Sequence, residues 1–185
     1  MSNSIATNHL YDTVLLDKDK DEIRILILLP AQDFEQDIHC RLIVAGNAED
    51  LEYKALSYVW GDQHDAVPVR VNGADCNITQ NLAAALRHLR DRENETPLWV
   101  DAICINQADS KEKSWAVSAM YQAHSRAQQT IAWLGIQSND SDLAIDLIQK
   151  VSAYRGPYPH LFDEIYYRRN RLHPGDVTHQ IRSAF

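Results

Sequence analysis

The sequence is poor in cysteine, and the three it has, Cys40, Cys76 and Cys104, lie far apart. They form no CxxC pair and no cysteine–histidine spacing typical of zinc, so we expect no metal site. Cys40 and Cys104 stand among apolar residues, a pattern that predicts small, buried side chains. Unpaired cysteines suit a reducing compartment, and we therefore predict a cytoplasmic protein.

Long apolar runs are missing as well. The longest, residues 25–30, has the length of a strand and falls far short of the ~20 residues that a membrane-spanning helix needs. Residues 1–12 are polar and lack the apolar core of a signal peptide, so no targeting segment is expected there. A P-loop, a glycine-rich dinucleotide fingerprint and a nucleophile elbow are also absent from the sequence. These absences predict no membrane partner and leave any ligand chemistry to less familiar motifs.

Positive charge is in the minority. Lys and Arg number 18 against 26 Asp and Glu, which gives a formal net charge of -8 at pH 7. Most of the surface would repel phosphates, so we expect no nucleic-acid partner. At 185 residues, with 45% hydrophobic residues, the chain is long enough for one globular domain with its own core.

The first half of the chain is patterned as strands. Apolar or alternating runs predict strands at residues 23–29, 38–44, 53–60, 67–71 and 76–78. The Asn72-Gly73 pair predicts a hairpin turn between the last two of these. Pro68 indicates that this hairpin lies at a sheet edge, because proline cannot donate to a neighbouring strand.

The second half alternates between helices and strands. Thr79 is a candidate N-cap for a helix to Arg90, and Asp109 for a helix to about Arg126. Two apolar runs, 98–105 and 130–134, predict strands buried on both faces. A third helix is predicted from Ser141, and a short one around residues 161–169.

This order predicts an α/β fold with a central parallel sheet flanked by helices and an N-terminal antiparallel β extension. The predicted organisation is a flexible leader at 1–22, a domain core at 23–155, and a helical or loop extension at 156–185.

Three long motifs, in order, carry a family resemblance. Residues 53–62 read YKALSYVWGD, residues 98–107 read LWVDAICINQ followed by Asp109 and Glu112, and residues 131–135 read IAWLG. Residues 78–82 and 85–89 fit the same pattern, so that the resemblance covers about residues 23–150. Together they resemble the heterokaryon-incompatibility (HET) domain of fungi. Three motifs in register are far more specific than a single short pattern.

The resemblance implies a module that triggers regulated cell death or growth arrest in fungal non-self recognition. It implies self-association, or association with other HET or NLR-type proteins. HET domains are similar to TIR domains in their presumed fold, and some TIR domains hydrolyse NAD. The alternative function is therefore a TIR-like NAD glycohydrolase that releases nicotinamide and ADP-ribose, with NAD as substrate or ligand. A second alternative is an inactive regulatory fragment that binds active HET proteins.

One departure from the family bears on catalysis. Many HET domains continue to a segment rich in Arg, Pro and Trp that ends in Gln-Glu, and the sequence after Phe162 has no tryptophan. By analogy with the glutamate of TIR hydrolases, that segment is the expected source of a catalytic glutamate. We therefore predict that this chain is a poor NAD hydrolase, or none.

Polar residues follow the predicted strands, where ligands gather in open α/β sheets. We expect residues 57–62 and 101–107 to converge on one cleft at the carboxyl edge of the sheet. The candidate catalytic residues are Asp101 and Glu112. The candidate ligand-binding residues are Ser57, Tyr58, Trp60, Gly61, Asp62, Asn106 and Gln107.

Structural interpretations stand beside the functional ones. Asp101 is either a site carboxylate, for a ribose hydroxyl or as general base, or an acceptor for backbone amides of the 57–62 loop. Glu112 is either an acid/base group or the second half of a capping box with Asp109, which the spacing favours. Asn106 and Gln107 suit ligand recognition and equally suit capping of the next helix.

The sequence suggests simpler interpretations for the tryptophan residues and for His124. Trp60-Gly61-Asp62 is either a ligand loop or a tight turn with a core tryptophan. Trp99 and Trp133 are predicted to be core residues. His124, alone on a helix, receives no catalytic role.

Overall fold

The computed structural model describes residues 10–17, 20–46, 51–62, 64–137, 141, 145–146, 164–167 and 179–182. The strands are β1 Ile23–Leu28, β2 His39–Ala45, β3 Lys54–Tyr58, β4 Ala66–Val71, β5 Ala74–Thr79, β6 Thr96–Trp99, β7 Gln129–Trp133, β8 Glu164–Tyr167 and β9 His179–Arg182. The helices are α1 Gln80–Leu89, α2 Asp101–Cys104 and α3 Ser110–Arg126. The fold is mixed α/β.

One seven-stranded sheet, ordered β5-β4-β2-β1-β6-β3-β7, organises the molecule. β3 lies between β6 and β7 and runs parallel to both, which confirms the predicted parallel neighbours. β1 is antiparallel to both β2 and β6, and β2 is parallel to β4. The strands predicted as an antiparallel extension thus lie in the same sheet as the parallel strands.

The prediction of a strand over residues 98–105 is wrong beyond Trp99. β6 ends there, and α2 begins at Asp101. The Asp101 carboxylate accepts a hydrogen bond from the Ala102 amide at 2.8 Å, and the Ile105 amide donates to the Asp101 carbonyl at 3.2 Å. Ile103 and Cys104 are buried, as they would be in a strand. A short apolar run cannot by itself distinguish a buried strand from a buried helical turn.

The helix N-caps and the hairpin turn lie where the sequence predicts them. The Thr79 side chain caps α1 by accepting from the Leu82 amide, and Asp109 caps α3 by accepting from the Lys111 amide. Asn72 and Gly73 have φ values of 50° and 80°, the left-handed conformations that a tight hairpin turn requires. This hairpin, β4–β5, lies at the sheet edge as predicted.

The core includes the cysteines and two of the motif tryptophans. Cys40 and Cys104 are buried and free, as predicted, and burial raises the pKa of each thiol to about 12. Such thiols stay protonated and behave as small apolar side chains. Trp99 and Trp133 are 2% and 4% exposed, which confirms them as core residues.

The ends of the domain depart from the predictions. Leu10, Tyr11 and Val14 are buried in the core, so part of the predicted flexible leader packs with the domain. Near the other end, Glu164–Tyr167 is a strand paired with β9, where a helix was predicted. Residues 141, 145 and 146 are helical, and the rest of the predicted third helix lies outside the described residues. The boundaries at residues 22 and 155 stay predictions.

No helix within the described ranges is long and apolar enough to cross a membrane.

Candidate functional site

A small cleft opens at the carboxyl end of β3, the strand that lies between the parallel strands β6 and β7. Its volume is about 60 Å³. β3, the end of β6, the start of α2 and the second half of α3 all contribute to its walls. The lining residues are Leu56, Ser57, Tyr58, Trp99, Asp101, Met120 and His124.

Asp101 is the carboxylate of this cleft and is partly exposed. The Trp60 indole Nε1 donates to its Oδ2 at 2.8 Å, while Oδ1 accepts from the Ala102 amide at 2.8 Å. The first and second motifs therefore meet at Asp101, through a side chain of the 57–62 loop and not through its backbone amides. A carboxylate offers about four acceptor positions, so these two bonds, together with one from the Tyr58 phenol, still leave a position for a ligand.

Tyr58 stands beside Asp101. Burial raises the pKa of the Tyr58 phenol well above its usual range, and the negative charge of Asp101 and a hydrogen bond to it act in the same direction. The phenol therefore stays neutral at physiological pH and serves as a hydrogen-bond donor to the carboxylate.

His124 faces the same cleft, although no role at the site was predicted for it. Burial lowers the pKa of its imidazole, and the nearby Asp101 charge opposes that shift only in part. The Trp99 ring packs edge-on against it with centroids 5.4 Å apart, and His124 Nδ1 lies 3.4 Å from Thr130 Oγ1. The four-residue spacing from Met120 puts both on one helix face and was the available signal.

Asn81 joins the first and third motifs and was also missed as a functional position. Its Nδ2 donates to the Val59 carbonyl at 2.6 Å, and its Oδ1 accepts from the Trp133 indole at 2.9 Å. Gly61 packs nearby with a φ of +77°, where a Cβ would lie 3.5 Å from Asn81 Cβ. A side chain at Gly61 would be strained by that φ, which explains the glycine without a ligand.

The other predicted binding residues make local contacts. Gln107 Nε2 donates to the Asp101 carbonyl at 3.0 Å. Asn106 Oδ1 accepts from the Ala108 amide at 3.1 Å, and exposed Asp62 accepts from the His64 amide at 2.9 Å. The structure thus places Ser57, Tyr58 and Asp101 on the cleft wall and Trp60 and Gln107 in contact with Asp101.

Glu112 belongs to a different cluster. Its carboxylate binds the Arg24 guanidinium through contacts of 2.5 and 3.2 Å and accepts from the Asn106 amide at 2.7 Å. The capping-box interpretation predicts that the Glu112 carboxylate accepts from the Asp109 amide. That partner is wrong, because Glu112 accepts from the Asn106 amide and the Asp109 amide donates to the Asn106 carbonyl. Glu112 is also not among the residues that line the cleft.

Arg24 is the centre of that cluster, and its side chain is only 2% exposed. Besides Glu112, it donates to the carbonyls of Val14 at 2.8 Å and Cys104 at 3.1 Å. Its guanidinium lies 4.9 Å from the Tyr11 ring centre. The pair therefore joins the N-terminal segment, β1, α2 and α3.

Across the described part of the chain, no group of three or more His, Cys, Asp or Glu side chains is placed to hold a metal ion.

Comparison with known proteins bears on this arrangement. Residues 53–173 match the family model described as heterokaryon incompatibility protein (HET), a span that includes all three motifs and runs past residue 150. The chain is also 37% identical over 171 residues to "Heterokaryon incompatibility protein 6, OR allele" of Neurospora crassa. That alignment covers 82% of this chain but 25% of the relative, so the chain spans about a quarter of that protein. No solved structure matches.

Both comparisons agree with the three motifs that meet around Asp101 and Asn81, and the chain belongs to the heterokaryon incompatibility (HET) family.

Proposed function

We propose that this chain is an incompatibility signalling module whose output is growth arrest or regulated cell death in fungal non-self recognition. It acts in the cytoplasm, through association with itself or with other HET or NLR-type proteins. Its membership in the HET family is the observation that carries this proposal. The named relative is an incompatibility protein and shares 37% identity with the chain.

The geometry supports a single working site for the module. Trp60 of the first motif donates to Asp101 of the second, and Asn81 joins Val59 of the first to Trp133 of the third. Motifs far apart in the chain are thus tied together by two sets of hydrogen bonds, one at the Asp101 carboxylate and one at Asn81, which meet at the neighbouring residues Val59 and Trp60. We place the working site of the module at this cleft.

Inducible expression of the chain in a filamentous fungus tests the proposal. The unaltered chain is expected to arrest growth, and Asp101→Asn to relieve the arrest at equal protein level. Glu95→Gln is the matched control, because Glu95 is exposed and pairs with exposed Arg41, away from the lining residues of the cleft. Growth without arrest by the unaltered chain would contradict the module proposal, whereas arrest by Asp101→Asn would remove the cleft from it.

NAD is the second candidate, as ligand or substrate of the same cleft. Asp101 is favoured because it lies at the carboxyl end of parallel strands, where such ligands bind and where it would stabilise positive charge on a ribose. A TIR-like fold belongs to this proposal and rests on the parallel β6-β3-β7 unit. No Lys or Arg occurs among the described lining residues to hold a pyrophosphate.

We expect NAD to bind through its nicotinamide riboside, with the pyrophosphate outside the cleft, and without turnover. The catalytic glutamate expected from the Gln-Glu segment of the family is not found in this sequence, and the loss of one such charge-stabilising group costs on the order of 10²–10³ in rate. Glu112 does not replace it, because it forms an ion pair with Arg24. Incubating the purified chain with NAD and measuring nicotinamide decides the point. Release at an ordinary enzymatic rate would contradict this expectation, and its loss in Glu112→Ala or Glu164→Ala, in a variant shown to be folded by circular dichroism, would show a catalytic glutamate after all.

The remaining alternative is a regulatory fragment that binds active HET proteins. Co-expression with an active HET protein separates it from the module: a fragment relieves arrest caused by its partner, and a module adds to it.

A further inference from the structure

We propose that the Asp101 cleft binds a compact organic cation, an alkylammonium or pyridinium group. This inference rests on the proposed function, in which the cleft is a ligand site.

The charge of the cleft is the first argument. Asp101 receives hydrogen bonds from neutral donors, the Trp60 indole and the Ala102 amide among them. Within the described residues, no Lys or Arg lies within salt-bridge distance of Asp101 and none lines the cleft. A half-buried carboxylate whose charge is not offset attracts a cation more strongly than an exposed one, since water screens it less.

The second argument is the chemistry of the side chains that line the cleft. The aromatic lining residues are Tyr58, which is partly exposed and so open to a ligand, and Trp99, which is only 2% exposed, and Met120 adds a polarisable thioether. Aromatic faces attract organic cations, and the attraction grows where water is displaced. His124 completes the wall as a neutral ring near pH 7, because burial lowers its pKa. A phosphate or carboxylate ligand would meet the Asp101 charge with no Lys or Arg among the described lining residues, and with a neutral His124, to balance it.

Size is the third argument. The cleft holds about 60 Å³, whereas pockets for whole drug-sized ligands span roughly 300–1,000 Å³. The cleft therefore takes a head group and leaves the rest of the ligand outside. An alkylammonium or a pyridinium ring is a head group of suitable size and charge.

Two pairs of probes, each differing mainly in charge, test the inference on the full 185-residue chain. Choline is compared with 3,3-dimethylbutan-1-ol, its uncharged isostere, and 1-methylnicotinamide with nicotinamide. Binding is followed by NMR titration and by tryptophan fluorescence. The cation of at least one pair is expected to bind about tenfold more tightly than its neutral partner, the scale of one desolvated cation–aromatic and carboxylate contact.

The probe pair in which the cation binds more tightly than its neutral partner identifies the source of the cation. Selectivity in the nicotinamide pair indicates a pyridinium ligand, and selectivity in the choline pair indicates an alkylammonium ligand. Asp101→Asn is expected to bring the partners of the selective pair to equal affinity, and Glu95→Gln to leave them unchanged. The comparison of isosteres on the unaltered chain needs no variant, so a folding defect in Asp101→Asn does not weaken it.

Equal or tighter binding of the neutral probes overturns the inference, as does binding of none of the four. Tight binding of methyl β-ribofuranoside without any cation would overturn it while leaving a ligand site for sugar hydroxyls. Cation binding by a chain that causes no growth arrest would contradict the signalling proposal alone.

Discussion

Asp101 and Glu112, the two carboxylates predicted as candidate catalytic residues, have opposite surroundings in the structure. Asp101 is partly exposed in a cleft and held by neutral donors. Glu112 is bound by a guanidinium that is itself 2% exposed. Once a buried arginine neutralises a carboxylate, the pair serves packing and is closed to ligands. The contrast teaches that the availability of a carboxylate depends on where the nearest cation lies.

The largest expected effect comes from breaking the Glu112 cluster. Glu112→Ala leaves Arg24 buried without its partner, and we expect a loss of about 3–5 kcal/mol in the free energy of unfolding by urea. The control is Glu95→Ala, which breaks an ion pair with both side chains about half exposed and should cost about 0–1 kcal/mol. Equal costs for the two variants would erase the contrast.

Asn81→Ala tests whether the third motif is tied to the cleft loop. The buried Trp133 indole would lose its acceptor, and the Val59 carbonyl its donor. We expect a loss of about 1–3 kcal/mol in unfolding free energy. Asn77→Ala, at an exposed position of the edge strand β5, is the control and should change little. A cost for Asn81→Ala no larger than this control would show that the bridge contributes nothing.

Asp101→Asn should be milder than Glu112→Ala, because no buried cation is left unpaired. Asparagine keeps one acceptor oxygen for the Trp60 indole, the Ala102 amide and the Tyr58 phenol, where aspartate offers two. We expect a loss of about 1 kcal/mol in urea unfolding. Asp62→Asn, which alters an exposed carboxylate bonded to the His64 amide, is the control. A loss as large as that of Glu112→Ala would make Asp101 a structural residue.

The smallest effect concerns pH and His124. Its pKa in the folded chain is lowered by burial, so the unfolded chain binds the proton more tightly. The stabilisation is fully present above the usual histidine pKa of about 6.5 and is lost as pH falls below it. His124→Gln should flatten this part of the stability profile, measured as unfolding midpoint between pH 7.5 and 5.5. An unchanged slope in the variant would mean that other histidines cause it.

Much of the fold was predictable because the signals are local. Thr79 and Asp109 cap helices, Asn72-Gly73 makes a hairpin, and apolar continuity marks β3 and β7. Each depends on the backbone preferences or on the hydrophobic pattern of a few neighbouring residues. The limit of local signals shows at Asp101, where a run that is apolar on both sides of this residue turns from strand to helix.

The candidate site was predictable only in part. The sequence by itself determined the family, through three motifs in register, and drew attention to Asp101 and Tyr58, which line the cleft. It paired Glu112 with the neighbouring Asp109, since local spacing was all that it offered. Tertiary structure alone decided that Arg24 takes the charge of Glu112 and that His124 reaches the cleft. The physical reason is that ion pairs and cleft walls join residues from separate elements, so their energies depend on packing distances that no local pattern encodes.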